Sequence, residues 1–161
     1  MAADPEIRKN ILRKAGSLLA RRAYSRGELR AQLAGTAAGS ELESALDRLE
    51  QLRLLNDPEY AYNFALSRMK RQLWGPARVR EALLGRQIPE EVAETAIRRA
   101  SLECDEPSVL RAYLEKYLGG KGMPSGPREA RKLAMHLRRR GFGEDNIVSA
   151  LKQVLPRDTG D

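Results

Sequence analysis

Apolar positions recur every three or four residues along the whole chain, and no sustained alternating β-branched run interrupts them. From Glu6 to Ala23 they are Ile7, Ile11, Leu12, Ala15, Leu18 and Leu19, with Lys9 and Arg13 on the other side; this is one broad apolar helical face after a frayed end, Met1 to Pro5. Ser25 caps a second helix, with Glu28 as its capping-box partner and Leu29 and Leu33 as core contacts. A loop, GTAAG, follows, and Ser40 caps a third helix carrying Leu42, Leu46, Leu49 and Leu52.

Asn56-Asp57-Pro58 is the next start signal. Its helix, running to about Leu73, has two apolar stripes: Tyr60 with Phe64, and Tyr62 with Leu66, Met69 and Leu73. A helix apolar on two sides is expected between neighbours, here its own repeat and an adjoining one. Gly75-Pro76 opens a short helix with Val79, Ala82 and Leu83 inward. Gly85 to Pro89 breaks it; Pro89 opens another, with Glu90 and Glu91 at the positive end of the dipole and Val92, Ala96 and Ile97 as its buried side. Pro107 opens a helix with Val109, Leu110, Tyr113, Leu114, Tyr117 and Leu118, which the breaker-rich GGKGMPSGP ends. Pro127 to Arg140 presents Ala130, Leu133, Ala134 and Leu137, and Glu144 to Leu155 is the last helix.

The layout repeats. Leu29 and Leu33 match Val79 and Leu83, 50 residues later, and Leu133 and Leu137, a further 54 residues on. The expected fold is all-α: three tandem three-helix repeats, at 6–55, 56–105 and 106–155, stacked into an elongated, curved, solenoid-like arrangement with a tail at 156–161.

Charge adds a partner class. The chain has 29 Lys and Arg against 22 Asp and Glu, a net charge of +7. That balance suits a polyanion or an acidic protein groove; an arginine-rich soluble surface is the plainer explanation. The candidate partner- or DNA-binding residues are Arg26, Arg30, Arg68, Lys70, Arg71, Arg78, Arg80, Arg128, Arg131, Lys132, Arg138 and Arg139. If the second helix of each repeat faces the same way, these arginines form one long basic band. Arg78 and Arg80 flank their apolar stripe, and Trp74 is placed either to stack a base or to pack at a helix junction.

Catalysis is not expected. The single His136 and single Cys104 build neither a nucleophilic triad nor a His/Cys metal site, and no phosphate loop is present. Asp57, Glu59, Glu90 and Glu91 are explained as helix-start acids. No cofactor is called for. No apolar run approaches the ~20 residues a membrane span needs, no signal-peptide core is present, and a lone thiol fits a cytoplasmic setting.

Four segments carry a family resemblance. GPARVREAL, 75–83, resembles the GPxxIRxEL segment of RecX, the bacterial regulator of the RecA recombinase. YSRGEL, 24–29, is similar to the family's HSxxEL helix start; LLND, 54–57, to its GLLDD turn; and RRGF, 139–142, to its third-repeat RRGF. The resemblance covers roughly Ile11 to Leu155. Asn56, Leu73-Trp74 and GTAAG depart from the family pattern. The resemblance implies a non-enzymatic modulator of recombination, DNA repair and the SOS response, expected to act as a monomer. Such proteins lie in the groove of the RecA–single-stranded DNA filament, bridge protomers, and lower filament growth, ATP hydrolysis and strand exchange, with DNA contact weak or indirect. A general basic nucleic-acid binder acting without RecA is the alternative that charge alone supports.

Overall fold

The computed structural model describes residues 4–155. Among them are nine helices and no strand: α1 (Pro5–Leu19), α2 (Arg26–Leu33), α3 (Gly39–Gln51), α4 (Asp57–Gln72), α5 (Pro76–Gly85), α6 (Glu90–Glu103), α7 (Glu106–Leu118), α8 (Pro127–Arg139) and α9 (Glu144–Val154). They form three tandem three-helix repeats, α1–α3, α4–α6 and α7–α9. The accessible surface, 10398 Å², exceeds the roughly 8000 Å² expected of a compact monomer of this mass, as an elongated stack requires. None of the described helices is long and apolar enough to cross a membrane.

Local chemistry sets most helix starts. Ser25 Oγ accepts from Glu28 N while the Glu28 carboxylate accepts from Ser25 N, closing the expected capping box. Asn56 and Asp105 cap α4 and α7 by accepting from the amide three residues on. Proline stands in the first turn of α1, α4, α5, α7 and α8. Three expectations shift. Pro5 is helical rather than frayed, because Asp4 caps α1; residues 1–3 and the tail lie outside the described residues. α1 ends at Leu19, four residues early. Ser40 lies inside the first turn of α3, which begins at Gly39 with no side-chain cap.

The core divides in two. Ile11, Ala15, Leu29, Leu33, Leu46 and their neighbours form one cluster in the first repeat. A second cluster runs without a break through the other two repeats. Within it α4 does not bury the stripes the sequence suggested. Ala61 and Ala65, lying between those stripes, are fully buried together with Met69 of the second stripe, and Tyr60, Tyr62, Phe64 and Leu66 are only half-covered. On α6 the buried line is Ala93, Ala96 and Ala100, with Val92 and Ile97 at its margins. Alanines on both helices let α4 and α6 approach closely, which pushes the larger side chains to the flanks.

Candidate partner-binding face

The same joint links successive repeats. At the first, Ser25 Oγ donates to Arg86 O at 2.6 Å and Arg26 N donates to Asp57 Oδ1 at 2.8 Å. The start of α2 thereby sits on the α5–α6 turn. At the second, Gly75 N donates to Arg140 O at 2.8 Å and Ala77 N to Gly141 O at 3.0 Å, so the start of α5 sits on the α8–α9 turn. Both turns hold a left-handed residue at the same place, Gln87 (φ 59°) and Gly141 (φ 90°). In both, the next residue's amide reaches back to the helix end, Ile88 N to Leu83 O and Phe142 N to Leu137 O. Backbone meets backbone at the second joint: a Cβ on Gly75 would overlap Gly141, and one on Gly141 would overlap Arg78. The glycines of the GP and RRGF segments are therefore two halves of one contact.

Beside this joint the arginines stack on aromatic rings. Arg86 and Arg68 lie over Phe64 at 4.5 and 4.8 Å; Arg68 and Arg78 lie over Trp74 at 5.1 and 4.1 Å. Arg140 lies over Tyr113 at 4.5 Å and donates to Gln72 O and Leu73 O at 2.5 and 3.2 Å, capping the end of α4 from the next repeat. Tyr113, Tyr117, His136 and Phe142 cluster behind it, with His136 stacked on Tyr117 at a centroid distance of 4.7 Å. Burial, then Arg140, Lys121 and Arg139, push the His136 pKa below its usual value, so the imidazole is neutral at pH 7. Interleaved guanidinium and aromatic groups thus run from the first joint, past the second, into the third repeat.

The twelve expected contact residues divide into three groups. Arg26, only 19% exposed, is held by Glu43, Asp47 and Glu50, and Arg30 by Glu43. Those two arginines draw the Glu43 pKa down to about 2, Arg30 first. Lys70 pairs with Glu103, Arg80 with Glu90 and Glu94, and Arg138 with Glu144. Arg68 and Arg78 are the stacked pair. Arg71, Arg128, Arg131, Lys132 and Arg139 are exposed and make no ion pair with a described residue. The band is consequently uneven. Residues 56–105 carry eight basic and eight acidic side chains, whereas 6–55 carry ten and six and 106–155 ten and five, so the excess positive charge lies on the first and third repeats. Sequence reasoning passed over Arg86, Arg140 and Tyr113; the signal for Arg140 was its place in RRGF.

No group of His, Cys, Asp and Glu among the described residues could hold a metal ion. Cys104 is half-buried, and its thiol pKa is pushed up by burial.

Known proteins resemble this chain in sequence and in helical layout. The family model for "RecX, second three-helix domain" matches residues 56–97. The regulatory protein RecX of a Thermus thermophilus strain is 41% identical over 117 residues, covering 68% of this chain and 80% of that protein. That of Prosthecochloris aestuarii is 33% identical over 156 residues, covering 95% and 98%. The crystal structure of RecX from Lactobacillus salivarius has a TM-score of 0.76 at 19% identity, covering 92% of this chain and 97% of that one. A second crystal structure, of regulatory protein RecX, has a TM-score of 0.77 at 16% identity, covering 95% and 79%.

Proposed function

The chain belongs to the RecX family of regulatory proteins, and on that premise we propose that it is a non-catalytic modulator of RecA in the cytoplasm. In this reading it binds the RecA–single-stranded DNA filament along its groove and limits filament extension, ATP hydrolysis and strand exchange. The observation that carries the reading is the face just described. Stacked arginines sit at backbone-tight joints, and on the third repeat Arg128, Arg131, Lys132 and Arg139 are exposed and make no ion pair with a described residue. A face of this length suits a periodic, negatively charged surface better than a small molecule. The repeats at 6–55, 56–105 and 106–155 are its units of contact.

The test is RecA ATP hydrolysis on excess single-stranded DNA, titrated with this protein. A fall at substoichiometric protein is expected. Reversing charge together at Arg128, Arg131, Lys132 and Arg139 should weaken that inhibition with circular dichroism unchanged; inhibition at the wild-type dose would sink the role of this face. The aromatic–cationic composition also favours a second reading, direct binding of single strands without RecA. That reading requires RecA-independent affinity that falls steeply with salt.

A further inference from the structure

The third repeat holds a concavity that shares only Lys132 with the face assigned to the filament. It lies between the end of α7, the loop at 119–126 and the start of α8, with a volume of about 320 Å³. Tyr117, Leu118, Leu133 and Pro124 form its apolar walls, and Lys121 and Lys132 bring two ammonium groups to it. Local geometry fixes Lys121. Lys121 N and Gly122 N both donate to Leu118 O, at 3.1 and 2.8 Å, and Gly122 takes φ 79°, so the chain folds back over the end of α7. The Lys121 ammonium then lies 4.5 Å from the Tyr117 ring centroid and donates to the phenol oxygen at 3.3 Å. Neither lysine pairs with a described carboxylate. Glu129, the acid lining the same cavity, is turned to Ser125, accepting from its amide at 2.8 Å and from its hydroxyl at 3.0 Å.

We propose that this cavity binds a nucleoside 5′-phosphate, the phosphate between Lys121 and Lys132 and the base against Tyr117. The chemistry of the lining selects that class. Two unpaired ammonium groups favour a compact dianion, and a tyrosine ring already stacked on His136 is a rigid platform for a planar base. A single exposed cation–π contact is weaker than base stacking, so the ammonium that now covers the ring yields it and moves to the phosphate. The volume is at the small end of ligand cavities, enough for a mononucleotide and too little for a folded segment. The same group is supplied by a free nucleotide or by the 5′-phosphorylated end of a strand.

The experiment titrates the full chain with AMP, with a 5′-phosphorylated tetranucleotide and with its 5′-hydroxyl counterpart. Binding is read by calorimetry and by amide shifts at Tyr117, Gly122 and Lys132. Saturable AMP binding is expected, weakened about tenfold in Lys121→Gln/Lys132→Gln, as loss of charge-assisted contacts implies, and unchanged in Lys116→Gln, an exposed lysine outside the cavity. Binding of AMP with neither tetranucleotide assigns the site to free nucleotides. Binding of the phosphorylated strand but not the hydroxyl one assigns it to strand ends. Absence of saturable binding by AMP and by the phosphorylated strand, equal affinity in the double glutamine variant, or equal affinity for both strands overturns the proposal. None of these readouts contains RecA, so they stand or fall apart from the filament reading.

Discussion

Gly141 and Gly16 ask opposite things of a methyl group. Gly141 combines a left-handed φ of 90° with backbone neighbours that leave no room for a Cβ. Gly141→Ala should lose at least the ~1–3 kcal/mol of a strained residue, seen as a lower thermal midpoint. Gly16 lies on the exposed side of α1 with nothing near its Cβ position, so Gly16→Ala should gain about 0.5–1 kcal/mol in the same assay. Charge gives a second contrast. Glu43 is held at about 2 by Arg30 and Arg26, below its ordinary 4.5. A depressed carboxylate pKa means stability that is present above pH 4.5 and lost as pH falls through about 2. Denaturant midpoints measured across that window should drop in the wild type and drop less in Glu43→Gln; because Glu43 is 43% exposed, solvent screening keeps the difference small. Neither partner set was legible beforehand. The chain separates Arg26 from Glu43 by 17 residues and Arg140 from Gln72 by 68, so whether a basic residue was neutralised depended on the fold.

Helix starts were legible because capping is local. Ser25-x-x-Glu28, Asn56 and Gly75-Pro76 each announce a start that the structure keeps. Ser25 has a further role that its sequence neighbours do not disclose: it is fully buried, and its hydroxyl also donates to Arg86 O across the joint. Ser25→Ala should therefore cost more than an isolated cap, about 2 kcal/mol at the upper end of the capping range, whereas a Ser25→Thr change that retains the hydroxyl should recover much of it. Chemical denaturation of the two variants checks this. The buried faces of α4 and α6 were misjudged for a different physical reason. Alanine carries little hydrophobic weight in a periodicity, yet two alanine faces bring helices close enough to exclude water, and the aromatic stripes that dominated the pattern became the flanks.

The two apolar clusters imply unequal unfolding units. The first repeat keeps its own core, and polar contacts at Ser25 and Arg26 link it to the next. The second and third repeats share one core and a backbone-to-backbone joint. Native-state hydrogen exchange should show α1–α3 opening at a lower free energy than α4–α9, with α5 and α8 protected alike. One common protection level throughout would mean that the joints, not the cores, set cooperativity. The three-repeat layout was legible from its period of about fifty residues; which basic side chains stay unpaired was not, because the acids that neutralise α2 lie on α3.

The paired joint bears on how such a chain is inherited. The middle repeat carries both halves, a helix start that seats on the following turn and a turn that receives the preceding start. A tandem duplication of that stretch would join like to like without new contacts having to arise by mutation. The first repeat offers no such seat: its turn after Leu33 has no left-handed residue. Growth in copy number therefore has an open route through the middle repeat and a closed one through the first.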